Sequence, residues 1–278
     1  MSATAPTPAA ADPAAGLKLV LPGRAVSFGA AVSWVMRSWK IFAAAPLMWI
    51  VALLIMFLAN VVLSFVPLIG TIAINLLQPV YLAGFAAACR SLETGGEFEI
   101  EQLFAGFRTR STDLILVGVA MIVGMIVIFA IFMGFVGWSI VAAMFTGNVH
   151  EIEQVIEGAA LQIVLGMLVC ALFVVPLLAA YWFAPFLVYM HGMKAMDAMK
   201  ASFMACVKNF FQMFVYGVVV LVIAGLATVV AVIPFIGWLF TLAVYLVLGI
   251  MAFTAIYPAY RDIFTEEEAP AGAAMAGP

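Results

Sequence analysis

The sequence predicts an all-α integral membrane protein: six transmembrane helices built as three parallel repeats, each an amphipathic interfacial helix followed by a helical hairpin. Three observations predict it. Of 278 residues, 67% are hydrophobic and 9% charged, with a mean hydropathy of +1.24; soluble domains carry about 45–50% apolar and about 25% charged residues. The uncharged residues are gathered into four long blocks. All 11 Lys and Arg residues fall on one side of the spans those blocks define. A soluble fold needs a wetted exterior that this composition cannot supply, so lipid must be the solvent for most of the chain.

The blocks containing no Asp, Glu, Lys or Arg are 41–89, 114–150, 158–193 and 209–260, with lengths of 49, 37, 36 and 52 residues. A spanning helix needs about 20 apolar residues. The first and last blocks therefore hold two spans each and the middle two hold one each. Val66-Pro67-Leu68-Ile69-Gly70 and Ile233-Pro234-Phe235-Ile236-Gly237 divide the long blocks. Proline removes a helix donor and glycine accepts turn conformations, so each pentapeptide reads as a tight turn near the outer surface. The expected spans are 43–65, 70–90, 114–136, 163–186, 211–232 and 238–259.

With six spans, Lys18, Arg24, Arg37, Lys40, Arg90, Arg108, Arg110, Lys194, Lys200, Lys208 and Arg261 share one side. The other side has two short turns and the loop Thr146–Gly158, with Glu151, Glu153 and Glu157. The positive-inside rule then places both termini in the cytoplasm. Residues 1–24 and 265–278, rich in Ala, Pro and Gly, are expected to be flexible tails flanking a membrane domain over 25–264. The start of the chain lacks the basic and apolar regions of a secretory signal.

Each pair of spans follows an amphipathic segment. Phe28, Val32, Val35 and Trp39 form the first stripe. Ile100, Leu103, Phe104 and Phe107 form the second, and Met196, Met199 and Phe203 the third. The segments align as Ala-Ala-Val-Ser-Trp (30–34), Leu-Phe-Ala-Gly-Phe (103–107) and Met-Lys-Ala-Ser-Phe (199–203). The first and third units also close alike, in Cys89-Arg90-Ser91 and Tyr260-Arg261-Asp262. Apolar stripes beside basic residues suit the headgroup region, with membrane lipids as partners. An even number of spans per unit makes the repeats parallel rather than inverted.

Candidate functional residues are few. Ionisable groups deep in a membrane mark transport or proton relay, and the expected spans have none in their deep parts. This argues against carboxylate-coupled transport, voltage sensing and hydrolysis, and a non-enzymatic protein is expected. Asn60, Asn75 and Gln78 flank the Pro67 turn, where Asn60 and Asn75 could bond across the hairpin; helix–helix adhesion is the reading adopted, with a solute-lining role as the alternative. Pro79, Pro176, Pro185 and Pro258 read as ordinary kinks. Met193, Met196 and Met199, with His191 beside them, offer the soft ligands that Cu(I) takes. The same methionines complete the third stripe, and packing explains them more simply. Small residues at Ala83/Ala87, Gly84/Ala88 and Ala130/Gly134 suit close helix contact, within the bundle or with a second copy. Cys89, Cys170 and Cys206 are isolated, and no metal or cofactor is expected. With so few basic residues and no basic stripe, neither is nucleic-acid binding.

The run Ala184-Pro185-Phe186-Leu187-Val188, then Gly192, Ala198, Ala201-Ser202 and Asn209, resembles a group of bacterial multi-pass inner-membrane proteins. The group includes YciC-like proteins and the membrane domain attached to some glycerophosphodiester phosphodiesterases. The resemblance implies a six-helix inner-membrane protein acting through lipid or protein contacts in the cell envelope. It implies no phosphodiesterase activity, since the soluble barrel is absent, and it transfers no catalytic residue.

Overall fold

A computed structural model of the chain describes residues 13–146, 150, 158, 160–233 and 236–267. Strand β1 (Leu17–Leu19) leads into α1 (Ala30–Ala44), α2 (Pro46–Ser64) and α3 (Ile69–Glu93). A 3-10 turn (Ile100–Phe104) and α4 (Ala105–Arg108) precede α5 (Ser111–Thr146) and α6 (Ala160–Trp182). The chain continues through α7 (Ala184–His191), α8 (Ala195–Lys208), α9 (Phe210–Val230), α10 (Ile236–Thr254), α11 (Ile256–Phe264) and strand β2 (Thr265–Glu267). Among the described residues, six helical stretches are long and apolar enough to cross a membrane: Pro46–Ser64, Ile69–Glu93, Ser111–Gly134, Ala160–His191, Phe210–Val230 and Ile236–Phe264. The all-α, six-span architecture is the one the four uncharged blocks predict, with ends shifted by a few residues.

The repeat shows in matching joints. In the first unit the interfacial helix gives way to a span at one non-helical residue, Ala45, followed by Pro46 at the first helical position. Asn209 separates α8 from α9 in the same way. At the opposite end, Leu68 (φ 64°) reverses the chain between α2 and α3. A Cβ on Gly70 would overlap the carbonyl oxygen of Leu63, and one on Gly237 would overlap that of Val230. Each carbonyl lies seven residues before its glycine, so the two pentapeptide turns use glycine to solve one steric problem. Residues 234–235 of the second turn, and 147–149 and 151–157 of the acidic loop with Glu151, Glu153 and Glu157, lie outside the described residues.

The bundle is tightly packed at one end and open at the other. In the most apolar stretch of Pro46–Ser64 only 11% is buried, and in those of Ala160–His191 and Phe210–Val230 only 6%. Spans surrounded by lipid gain little by burying against each other, because lipid tails are as apolar as leucine. The core collects instead at the charged end, where Trp34, Trp49, Phe183, Phe186, Tyr257, Tyr260 and Phe264 are all buried. Small residues permit this approach. A Cβ on Gly84 would strike the backbone of Leu103, and one on Gly106 would lie 2.6 Å from the Val80 carbonyl oxygen. The Ala83/Gly84/Ala88 face is thus occupied within the chain, whereas Ala130 and Gly134 face outward.

The segments expected as tails are partly built into this end. Leu17 and Leu19 pair antiparallel with Glu267 and Thr265, and Leu17 is buried. Residues 17–24 and 265–267 therefore belong with the folded unit rather than outside the 25–264 boundary. Ladder bonds and the Arg24 contacts hold them there. Residues 1–12 and 268–278 lie outside the described residues.

Candidate functional site

The Ala-Pro to Ser motif has a mechanical explanation. Pro185 stands at the start of α7, and Phe183 breaks the helix just before it. A proline has no N–H to donate back along the helix, and its ring crowds the preceding turn, so the hydrogen-bond ladder is interrupted there. The bond a continuous helix would make from Phe183 N to Ala179 O is replaced by a relay through a serine on α8. The Phe183 amide donates to Ser202 Oγ at 2.9 Å, and Ser202 Oγ donates to Ala179 O at 2.6 Å. Ser202 and Phe183 are fully buried, so no water competes. The neighbouring Cys206 thiol also points to Ala179 O at 3.5 Å. Burial pushes that thiol up to about 12, which keeps it a neutral donor at any physiological pH.

The other motif residues are accounted for as well. Gly192 (φ 62°) ends α7 in the left-handed conformation. Ala198 and Asn209 are fully buried. Asn209 Oδ1 accepts from Val26 N at 2.9 Å and its Nδ2 donates to Arg24 O at 3.0 Å, pinning the segment before α1. The motif is therefore a device for holding helices together.

Two carboxylates complete the charged end. Glu93, the last residue of α3, accepts from Arg90 Nη1 (2.9 Å), Tyr257 Oη (2.5 Å) and Arg261 Nε (3.1 Å). The closing arginines of the first and third units thus share one carboxylate. Asp262 accepts from Trp34 Nε1 at 2.9 Å and forms an ion pair with Arg37, tying α1 to α11. His191 Nε2 lies 2.6 Å from Tyr260 Oη, so the closing segment of the second unit joins the other two. Arg90 and Arg261 are visible in sequence as repeated closing residues. Glu93, three residues after Arg90, is the one partner that local spacing could have revealed.

The polar residues of the first hairpin are not brought together. Asn60 Nδ2 donates to Met56 O at 2.9 Å and Asn75 Nδ2 to Thr71 O at 2.8 Å, each four residues back on its own helix. The expected bond across the hairpin is absent among the described residues, because a nearer carbonyl satisfies each amide. Asn60 and Gln78 line a groove of about 610 Å³ between α2, α3 and α10, with Tyr81 and Phe253. Asn75 is not on that groove; its backbone faces Gly118 of α5. The methionines of the third segment also diverge: Met190 and Met199 are buried while Met196 is 59% exposed.

The interfacial helices carry the most informative surface. On α1, Ala31, Trp34 and Ser38 are buried against the bundle while Val32, Met36 and Trp39 are exposed. On α8, Ala198, Ala201, Ser202 and Ala205 pack inward while Met196, Phe203 and Met204 face out. Ile100, Phe104 and Phe107 in the second unit are exposed likewise. Each segment thus exposes several large apolar residues, while its inner face mixes small ones with a few large ones: Trp34 and Phe42 on the first, Leu103 on the second and Met199 on the third.

Comparison with known proteins agrees with this picture. The chain is 26% identical over 247 residues, 84% of its length and 91% of the other, to a protein of Burkholderia thailandensis named a probable inner membrane protein. No family model matches the chain, and no solved structure does. The chain is a multi-pass membrane protein, similar along most of its length to a bacterial protein whose name states a membrane location and no activity.

Proposed function

We propose that this protein is a non-enzymatic component of the bacterial inner membrane, with both termini cytoplasmic, that acts by organising lipid at the cytoplasmic leaflet. The observation that carries the reading is the outward apolar stripe on all three interfacial segments, set beside basic residues such as Lys40, Arg108 and Lys200. In water those stripes would be a large exposed patch. At a headgroup boundary they bury their side chains among acyl chains while the basic residues meet phosphates. The relative's stated inner-membrane location and the likeness of the Ala-Pro to Ser motif to YciC-like proteins support the same placement.

Spin labels test it. Labels at Met36, Phe104 and Met196 in proteoliposomes are expected to relax faster with oxygen, which partitions into lipid, than with a water-soluble nickel chelate. Greater nickel access at all three sites would contradict the reading. A second reading, passage of a small or lipid-like solute, rests on the groove bearing Asn60 and Gln78. It requires that alanine at both positions leave the fold intact and change flux through proteoliposomes.

A further inference from the structure

A second groove lies where α1 crosses α9 and α10. Val35, Met36 and Trp39 of α1 form one wall, Ile223 of α9 another, and α10 from Phe240 to Met251 the floor. Its volume is about 580 Å³, within the roughly 300–1,000 Å³ usual for small-molecule sites. The lining offers apolar atoms alone, Lys40 contributing the methylenes of its stem. Eleven residues separate Phe240 from Met251, or about 16 Å along a helix at 1.5 Å per residue. That is close to the depth of one leaflet, half of the roughly 30 Å hydrocarbon core.

Lys40 also borders a polar cleft of about 230 Å³ formed with Arg37, Glu93, Tyr257 and Pro258. One lysine therefore stands where an acyl-sized groove meets a polar pocket. The charges around it leave it available. Glu93 is held by Arg90 and Arg261, and Asp262 by Arg37. Among the described residues, the Lys40 ammonium has no carboxylate within ion-pair distance and no hydrogen-bond partner. Trp39, half exposed at the rim, is the residue type that settles at headgroup level.

We infer that this groove binds one acyl chain of an anionic phospholipid, with the lipid phosphate seated on Lys40. The inference rests on the lipid-organising reading above and names the lipid class and its site. The apolar floor takes the chain, the lysine takes the phosphate, and the adjoining cleft has room for the rest of the headgroup.

Native mass spectrometry of the full chain, released from bilayers with equal phosphatidylglycerol and phosphatidylethanolamine, tests it. The wild-type protein should retain phosphatidylglycerol about fivefold over phosphatidylethanolamine, the preference expected of one lysine near a phosphate. Lys40→Gln should bring that ratio close to one. Ala243→Phe, which fills the groove from an exposed position on α10, should reduce retention of both lipids. Leu172→Phe, on the exposed face of α6, should change neither. A wild-type ratio near one, or a ratio indifferent to Lys40→Gln, would overturn the proposal. So would palmitate that displaces phosphatidylglycerol with the same dependence on Lys40, since the occupant would then be a free fatty acid. Any of these results can coexist with lipid-facing spin labels at Met36, Phe104 and Met196, so failure here is distinct from failure of the broader reading.

Discussion

Ser202→Ala is expected to destabilise the protein by about 3 kcal/mol, read as the shift in unfolding free energy in mixed micelles. The hydroxyl serves two buried backbone groups that the Pro185 break has separated, Phe183 N and Ala179 O. Alanine keeps the volume and removes both bonds. An unsatisfied buried polar group costs about 1–3 kcal/mol, and more where no water reaches it. Cys206 still points at Ala179 O, so the orphaned amide of Phe183 dominates the loss. Ser202→Thr, which keeps the hydroxyl, should retain more stability than alanine if the added methyl fits. A Ser202→Ala protein within about 0.5 kcal/mol of wild type would mean that the helix break closes on itself and that the relay is incidental.

Glu93→Ala is expected to cost about 2 kcal/mol, with Glu93→Gln recovering roughly half. Removing one partner of a fully buried pair costs about 3–5 kcal/mol because the other charge is left alone. Here the Glu93 side chain is 34% exposed while those of Arg90 and Arg261 are 19% and 14% exposed, so water softens the loss. The informative part is coupling. Arg261→Met and Glu93→Ala share the same contact and should be non-additive by about 1 kcal/mol in a double-mutant cycle. Strict additivity would show that the first and third units are not joined through this carboxylate.

The spans, the two pentapeptide turns and the one-sided basic residues were legible because they depend on composition over some twenty residues, where lipid imposes a simple rule. The apolar stripes were legible in part: Phe28, Val32, Trp39, Ile100, Phe104, Phe107, Met196 and Phe203 are exposed, but Leu103 and Met199 turn into the core, and the second segment is a 3-10 turn with a four-residue helix instead of one amphipathic helix. What the stripes could not convey was the inner face. Ala31, Ser38, Ala198, Ala201 and Ala205 have little hydrophobic signal, yet they are the packing surface because small side chains let backbones approach. The centre at Glu93 was hidden for a different reason. Its partners Tyr257 and Arg261 lie 164 and 168 residues away, and no local spacing encodes such a contact. Asn60 and Asn75 show the converse. Their placement on either side of the turn suggested a bond across it, but a carbonyl four residues back lies on the same helix and requires no partner to be positioned. The prolines divide by the same logic. Pro79 and Pro176 sit inside continuous helices, whereas Pro185 and Pro258 each open a new one at the packed end.

Six crossings bring three hairpin units together at a single charged end. Compartment-sensitive reporters inserted at Gly95, between the first and second units, and at Gly147, in the acidic loop, measure this most directly. A cytoplasmic signal is expected at Gly95 and a periplasmic one at Gly147. Both reporters in the same compartment would contradict it.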